Sequence, residues 1–179
     1  MTTFAQRMPL ASALEQAVAG ELLARGHTVE PFGQALLAPS VRDGLRETDS
    51  VLRWLPDLAV MTPGRRGLIL VDAKGCQTSS TPNHAIELRS LYATTLTGLP
   101  TFYVCQDRKL LSPLDVSDSS EPDGFCCRRC WDLFVLDPMQ LPKRCPEHER
   151  RQRRGSGTPY VLIKRARCRP LASVFGEVV

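Results

Sequence analysis

The sequence predicts a single α/β domain with a small cysteine-rich appendage. Three observations lead to this fold class. A leucine-rich stretch near the N-terminus has the apolar spacing of a helix, and short apolar runs bounded by glycine and proline follow it. A second helical stretch then separates these runs from one further strand-like run. Finally, four of the seven cysteines lie within residues 126–145, outside this pattern.

Length and composition fit a globular protein of ordinary size. A chain of 179 residues, 42% hydrophobic and 23% charged, is long enough to bury a core as one domain. No apolar stretch approaches the roughly 18 residues that a membrane helix needs, so we expect no membrane partner. The N-terminus lacks the basic start and apolar run of a secretory signal, which predicts a cytoplasmic protein. In such a reducing compartment, clustered cysteines bind metal more often than they form disulfides.

The charge of the chain is unevenly distributed. Residues 1–125 hold 11 Lys and Arg against 14 Asp and Glu, a net charge of −3. Residues 126–179 hold 12 against 5, a net charge of +7. A basic C-terminal third on a mildly acidic body indicates a polyanionic partner for that third.

The first half of the chain predicts a helix followed by strands. Residues 10–26 form the predicted helix, because leucine and valine recur every four residues and a glycine stands at the end. Residues 27–38 predict one strand, or two strands broken at Pro31 and Gly33. The polar residues 39–53 are expected to form a loop.

A hairpin, a helix and a strand are predicted next. Residues 55–61 and 68–73 are strand-like and are joined by a Pro-Gly-Arg-Arg-Gly turn. Asn83 has the side chain of a helix cap, which predicts a second helix running to Thr97 with a glycine just beyond it. Residues 100–105 predict a further strand.

Charged residues cluster at one end of the predicted hairpin. Asp57 begins its first strand and Asp72 ends its second, so both carboxylates project from the same end. Two adjacent carboxylates repel each other unless a cation lies between them, and hard oxygen ligands suit Mg²⁺, or Mn²⁺ in its place. Lys74 lies two residues beyond Asp72 and therefore on the same face. There it could orient or deprotonate a water, or neutralise charge on a phosphate, which predicts metal-assisted phosphodiester hydrolysis.

These residues also resemble a known motif. Pro56-Asp57, fourteen intervening residues and then Asp72-Ala73-Lys74 are similar to the signature of the PD-(D/E)XK nuclease superfamily, and the resemblance covers about residues 10–105. It implies a restriction-endonuclease-like core of a helix, a three-strand meander, a helix and a strand. It further implies that Asp57, Asp72 and the carbonyl of Ala73 bind the metal and that Lys74 is the catalytic lysine.

Many members of this superfamily add an acidic residue from the first helix. Glu15 and Glu21 both flank the apolar stripe of that helix, and the resemblance favours Glu15. Some relatives carry a Gln-x-x-x-Tyr motif in the second helix. Residues 88–92 read Leu-Arg-Ser-Leu-Tyr instead, so the exonuclease-type branch is not supported.

The cysteine cluster has the spacing of a structural zinc site. Cys127 and Cys130 form one pair, and Cys145 and His148 form a second pair fourteen residues later. Three thiolates and one imidazole meet the needs of a closed tetrahedral Zn²⁺ site, although Cys126 could replace its neighbour. With all four positions filled by protein, such a zinc ion is structural rather than catalytic.

The other histidines and cysteines carry no comparable pattern. His148 is assigned to zinc, so His27 and His84 are too few for a histidine-based nuclease site. His84 is expected on the surface at the start of the second helix. The unpaired cysteines are expected to be packing residues; they are Cys76, Cys105 and Cys168.

Nine arginines are predicted to contact DNA phosphates, mostly without reading sequence. Three lie on the segment that leads into the hairpin, namely Arg42, Arg46 and Arg53. Six surround the cysteine cluster, namely Arg128, Arg129, Arg150, Arg151, Arg153 and Arg154.

Together these features predict a nuclease core over residues 1–111 and a linker or loop over 112–125. A zinc-binding module with a basic arm follows over 126–157, and then a C-terminal strand and tail over 158–179 that could return to the core. The predicted function is Mg²⁺-dependent DNA endonuclease, with branched DNA as the favoured substrate by analogy with the superfamily and a homodimer as the favoured assembly. The alternative is a non-catalytic, zinc-containing DNA-binding protein on a nuclease-like scaffold.

Overall fold

The computed structural model describes residues 13–64, 67–74, 83–117, 127–151 and 157–177. The strands among them are β1 (Thr28–Pro31), β2 (Leu58–Met61), β3 (Leu68–Lys74), β4 (Asn83–Glu87), β5 (Thr101–Cys105), β6 (Lys109–Leu111), β7 (Tyr160–Lys164) and β8 (Arg169–Pro170). The α-helices are α1 (Ala13–Ala24), α2 (Pro39–Arg46), α3 (Leu88–Leu96), α4 (Pro113–Ser117), α5 (Arg128–Leu136), α6 (Pro146–Arg151) and α7 (Ala172–Phe175).

A mixed sheet of six strands, in the order β1-β2-β3-β5-β6-β8, forms the centre of the fold. The first three strands are an antiparallel meander, and β5 then pairs with β3 in parallel after the chain has passed through α3. The order of a helix, a three-strand meander, a helix and a strand is the one that the sequence predicted. The remaining two strands, β4 and β7, pair with each other in a separate antiparallel sheet.

Two apolar clusters lie on opposite faces of the six-stranded sheet. On one face α1 and α7 pack against the sheet, with Val18 and Leu22 fully buried. On the other face α3 packs together with the cysteine-rich module. Neighbouring residues of β5 separate the two clusters, since Val104 belongs to the first and Tyr103 to the second. The first cluster also contains Val71 of β3, the strand that carries the acidic motif.

The segment from residue 39 to 53 is not the predicted loop. It contains α2 and a 3₁₀ turn at Val51–Trp54. The helix begins with Pro39, which is favoured in the first helical turn, but it buries none of its residues. Its large apolar residues are Val41 and Leu45, and two such positions in a polar segment are too few to indicate a helix from sequence alone.

The predicted start of the second helix was also wrong. Residues 83–87 form β4, which pairs with β7 from far along the chain, and the helix begins only at Leu88. Asn83 is therefore a strand residue rather than a helix cap. His84, expected at the surface, is fully buried in β4, and its Nε2 lies 3.4 Å from Asp107 Oδ1. Burial lowers the pKa of His84 in spite of the nearby carboxylate.

The second half of the chain contributes more to the sheets than its sequence indicated. Short strands β6 and β8 pair with each other and extend the main sheet, and neither was predicted. Residues 113–117, expected in a linker, form the helix α4. In the part of the chain that the structure describes, no helix is long and apolar enough to cross a membrane.

Candidate functional site

The register of the β2–β3 hairpin brings two aspartates together. Leu58 pairs with Val71 in this antiparallel ladder, so the next positions outward on the two strands are Asp57 and Asp72. The Asp57 N–H also donates to the Val71 carbonyl at 3.0 Å. The two carboxylates thus lie at the same end of the hairpin, as the sequence predicted.

Each carboxylate is held by specific donors. Asp57 Oδ2 accepts a hydrogen bond from the Ala73 N–H at 2.8 Å. Asp72 Oδ2 accepts one from Ser90 Oγ at 2.9 Å and lies 2.7 Å from Lys74 Nζ. The side chain of Asp72 is only 5% exposed, so these contacts stand in for much of its solvation.

The pKa values at the site record the crowding of charge. Burial, and then the charge of Asp72, raise the pKa of Asp57 well above its ordinary value. Burial alone would lower the pKa of Lys74, but the neighbouring carboxylates outweigh it and raise that pKa. Burial and Asp72 also raise the pKa of Tyr103 to about 12. The Tyr103 ring lies beneath Lys74, whose Nζ is 5.6 Å from the ring centroid.

A polar pocket of about 320 Å³ opens over these residues. Its charged lining consists of four carboxylates, three guanidinium groups and one ammonium group: Glu15, Asp57, Asp72, Glu87, Arg42, Arg46, Arg53 and Lys74. The pocket is lined almost entirely by polar atoms, in contrast to the apolar pockets that usually hold drug-like molecules.

The structure separates the two acidic candidates of the first helix. Glu15 lines the pocket, and its charge contributes to the raised pKa of Asp57. Glu21 instead forms ion pairs with Arg25 at 2.8 Å and with Arg108 at 3.4 Å. Only Glu15 is therefore placed near the aspartate pair.

Arginines from the α2 segment form one wall of the pocket. Arg42, Arg46 and Arg53 all line it, and Arg46 also pairs with Asp43 at 2.9 Å. The guanidinium of Arg53 lies 5.1 Å from the ring centroid of Trp54. The predicted group of three arginines thus lies beside the aspartate pair, although on a helix and a 3₁₀ turn rather than on a loop.

Sequence reasoning missed several residues that shape the pocket. Ser90 fixes Asp72, and Trp54 Nε1 donates to Glu87 Oε2 at 3.0 Å. Gly33, with φ +53°, lies so close to the hairpin that a Cβ atom there would be 2.6 Å from the Pro56 carbonyl oxygen. These contacts join segments that are distant in sequence, and only Gly33 carries a local signal, that of a glycine interrupting a strand.

A second group of potential metal ligands, apart from the polar pocket, is formed by the four residues that the cysteine spacing predicted. Cys127, Cys130, Cys145 and His148 are all buried, and their ligand atoms lie within 4.8 Å of one another. Hydrogen bonding to His148 helps to lower the pKa of Cys145 to about 6 against the effect of burial, and a thiolate is what zinc binds. The composition and geometry of the cluster are those of a closed zinc site.

Arg89 connects the cysteine-rich module to the wall of the pocket. Its guanidinium donates to the Leu141 carbonyl of the module and to Asp49 Oδ1 at 3.0 Å. The same guanidinium stacks 4.8 Å from the centroid of Trp54. Lys143 of the module also lies 3.6 Å from Asp49. The cysteine-rich module and the polar pocket are thus linked by one largely buried guanidinium and an ion pair.

The arginines predicted around the cysteine cluster are less well defined. Arg128 is 89% exposed and pairs with Asp132 at 2.9 Å, and Arg129 and Arg150 are also exposed. Arg151 ends α6. Several other predicted positions lie outside the described residues, namely Cys76, Cys126, Arg153 and Arg154.

Comparison with known proteins gives a likeness in structure. No protein-family model matches the chain, and no curated protein matches its sequence. Hjc from Archaeoglobus fulgidus, described as a Holliday junction resolvase from an archaeal hyperthermophile, matches in structure with a TM-score of 0.50 and 10% sequence identity. The match covers 93% of this chain and 100% of that chain. At this identity the likeness concerns the fold.

Proposed function

Because the chain has the restriction-endonuclease-like fold of the PD-(D/E)XK nuclease superfamily, as its motif predicted, we propose that it is a divalent-metal-dependent deoxyribonuclease. One observation carries the proposal beyond the fold. Glu15, Asp57, Asp72 and Lys74 line a single polar pocket together with three arginines. Charged side chains without a function are normally exposed to solvent. Here the Asp72 side chain is buried and pairs with Lys74 at 2.7 Å, which is typical of a functional site.

The donor set of the pocket fits Mg²⁺ or Mn²⁺. Asp57, Asp72 and Glu15 supply hard carboxylate oxygens, and the resemblance adds the carbonyl of Ala73. Burial, and then the charges of Asp72 and Glu15, raise the pKa of Asp57, and a divalent cation there would offset these charges. When bound there, such an ion supplies a Lewis acid for the phosphodiester group and lowers the pKa of a coordinated water.

The lysine is suited to donate hydrogen bonds and to supply positive charge rather than to accept a proton. Its raised pKa keeps Lys74 protonated at neutral pH, and Asp72 fixes its ammonium group at the edge of the pocket. A protonated lysine there can orient the attacking water and stabilise charge that develops on the phosphate. The hydrogen bond from Ser90 fixes the orientation of the Asp72 carboxylate and therefore its position relative to Lys74.

The arginine wall is suited to hold the DNA backbone. Arg42, Arg46 and Arg53 line the same pocket as the carboxylates, and phosphate groups at the cut can approach them directly. The exposed arginines of the cysteine-rich module extend this basic surface, while the Cys₃His cluster stabilises the module through Zn²⁺.

We favour branched DNA as the substrate and a homodimer as the assembly. Hjc is described as a Holliday junction resolvase, and its fold matches nearly the whole of this chain. A dimer would place two catalytic pockets on one branched substrate, as symmetric cleavage of two strands requires.

Cleavage of labelled DNAs by wild type and by Lys74→Ala tests the proposal. The panel holds single-stranded, duplex, nicked, flapped and four-way-junction DNA, each with Mg²⁺, Mn²⁺ or EDTA. We expect metal-dependent cleavage, fastest on the junction, and a loss of about 10²- to 10³-fold in Lys74→Ala. Lys109→Ala, a lysine of β6 outside the pocket, is the matched control and should cleave like wild type.

Two results would contradict the proposal. Cleavage that survives Lys74→Ala and EDTA would place the activity elsewhere, in a contaminant or at another site. Binding of DNA without cleavage of any substrate would favour the alternative, a non-catalytic DNA-binding protein on a nuclease-like scaffold.

A further inference from the structure

Three apolar side chains project from the cysteine-rich module into solvent. Val135 and Leu136 end α5, and Met139 lies in the 3₁₀ turn that follows it. Their exposed fractions are 62%, 82% and 69%. We call these three residues the apolar ridge. Exposed apolar side chains that lie close together in the chain add nothing to the core, and such a group is typical of a contact surface.

The apolar ridge adjoins the wall of the catalytic pocket. Met139 and Pro138 line a small cavity together with Trp54, Tyr92 and Arg89. Trp54 also lines the catalytic pocket. Trp54, against which Arg53 and Arg89 stack, therefore lies between Met139 and the pocket.

On its other side the apolar ridge borders a basic groove. Leu136 lines this groove of about 520 Å³ together with Arg128 and Arg129 of the same helix. Asp132 also lines it and pairs with Arg128 at 2.9 Å, so Arg129 supplies the net positive charge of the groove. The ridge thus lies between two sets of arginines, those of the groove and those of the catalytic pocket. An apolar strip with guanidinium groups on both sides complements a ligand that has an apolar centre and phosphates on both flanks.

DNA with unstacked bases is such a ligand, and a second copy of this chain is not. In a two-fold dimer formed through the ridge, each subunit would present the same arginines to the other, and like charges would face each other across the contact. In an intact duplex the bases are stacked on one another, so exposing their faces to the ridge costs about a few kcal/mol per base step. At a branch point, bases unstack readily, and apolar side chains are known to insert between base steps.

We propose that the apolar ridge is a wedge that contacts unstacked bases at a DNA branch point, while the flanking arginines hold the phosphates on either side. The ridge would then favour branched over linear DNA and would place the branch point next to the catalytic pocket. The preference in cleavage rests on the proposed nuclease function, whereas the base contact itself does not require cleavage.

Fluorescence of 2-aminopurine, which rises when the base unstacks, reads out this contact directly. The probe replaces one adenine at the branch point of a four-way junction, and a linear duplex of the same sequence serves for comparison. All proteins carry Lys74→Ala, so that the DNA stays intact. We expect fluorescence to rise on binding to the junction and to rise little on binding to the duplex.

The variant Leu136→Ser/Met139→Ser removes most of the exposed apolar surface at positions that the fold does not bury. It should lose the fluorescence rise and bind the junction about tenfold more weakly, while its affinity for the duplex changes by less than about twofold. Leu114→Ser, another leucine that is 72% exposed but lies in α4, is the matched control and should behave like the parent protein.

Three outcomes would overturn the inference. The double variant could give the same fluorescence rise as its parent, or it could lose affinity for junction and duplex equally. It could also change the molar mass of the protein in solution, which would identify the ridge as a contact between copies. Failure of the nuclease proposal is read separately, because cleavage assays of wild type with Mg²⁺ or Mn²⁺ decide it whatever the fluorescence shows.

Discussion

The two predicted metal centres of this molecule differ in how their charges are balanced before a metal binds. In the Cys₃His cluster all four ligand groups are buried and converge on one point, within 4.8 Å of one another. In the polar pocket the carboxylates lie around an open cavity, and burial and mutual repulsion raise the pKa of Asp57. The first arrangement suits an ion that stays, and the second suits an ion that must also reach a substrate.

The difference has a consequence for stability. In a closed site, metal binding adds its free energy to the stability of the folded state, because the unfolded chain has no preformed metal site. An open site of crowded carboxylates lowers the stability of the metal-free fold, because burial and mutual repulsion disfavour their charged forms. Substitutions at the two centres should therefore change stability in opposite directions.

The largest expected effect is at the closed centre. Cys130→Ser removes one of four ligands from the core cluster that also contains Leu88 and Leu91. We expect the protein to lose its one equivalent of zinc and about 5 kcal/mol of unfolding free energy. For a domain of this size that lowers the melting temperature by more than about 10 °C. Metal analysis and thermal unfolding by circular dichroism measure both.

Cys168→Ser is the matched control for this prediction. Cys168 is a buried cysteine of the same apolar cluster but lies outside the Cys₃His group. It should keep the zinc and shift the melting temperature much less. If Cys130→Ser retained zinc and unfolded at the wild-type temperature, the closed centre would not be a structural metal site.

The two centres also differ in how far their sequences determine them. In Cys-x-x-Cys and in Cys-x-x-His, one tight turn places both ligands where they can bind the same metal ion. Their spacing was therefore sufficient to predict the cluster. Asp57, Asp72 and Lys74 were predictable for a similar reason, because a hairpin is a local structure and the period of a strand fixes which face each side chain occupies.

The surroundings of the pocket could not be predicted in this way. β4 forms only by pairing with β7, which lies in a distant part of the chain, and its buried His84 interrupts the apolar alternation that marks a strand. The contacts of Ser90 with Asp72 and of Trp54 with Glu87 join separate segments. Only tertiary packing decides which polar residues meet there, and no spacing rule encodes it.

At the open centre, substitution of Glu15 should have the next largest effect, a slower rate of DNA cleavage, and Glu21 of the same helix is its control. Glu15→Gln removes a carboxylate from the pocket, and we expect cleavage to slow about 100-fold, equivalent to about 2.7 kcal/mol in the barrier. Glu21→Gln breaks ion pairs with Arg25 and Arg108 outside the pocket and should leave the rate unchanged. Single-turnover cleavage of the best substrate compares the two. Equal effects of both substitutions would show that helix charge, and not the pocket, governs the rate.

Arg89→Ala should uncouple the two centres at a smaller cost. The substitution removes a hydrogen bond to Leu141, an ion pair with Asp49 and a stacking contact with Trp54. We expect a loss of about 2 kcal/mol in denaturant unfolding, with the zinc retained. In a Trp131→Phe background, emission from Trp54 should shift to the red as that ring gains water.

Arg169→Ala provides the control for this uncoupling. Arg169 forms one exposed ion pair with Asp115 at 3.1 Å, which is worth at most about 1 kcal/mol. It should leave the emission of Trp54 unchanged. Should Arg89→Ala also leave that emission unchanged, the module would not support the pocket wall.

The smallest expected effect is a gain in stability at the open centre, and its pH dependence identifies the cause. The pKa of Asp57 is raised in the folded protein, so the folded state binds a proton more tightly than the unfolded state does. Without divalent ions, stability should therefore fall as pH rises from the ordinary carboxyl pKa through the raised value. Asp57→Asn removes this loss and should stabilise the protein at neutral pH by about 1 kcal/mol. Mg²⁺ should reduce the difference in unfolding free energy between Asp57→Asn and wild type, because it stabilises wild type.

Asp115 supplies a control of opposite sign for Asp57→Asn. Hydrogen bonds from Ser112 lower the pKa of Asp115 against the effect of burial, so its contribution to stability is present above the ordinary carboxyl pKa and lost as pH falls. Asp115→Asn should therefore destabilise the protein at neutral pH and match wild type in acid. Unfolding free energies measured between about pH 3 and pH 8 distinguish the two cases. If both variants gave curves parallel to that of wild type, charge crowding at Asp57 would not be the feature that separates the open centre from the closed one.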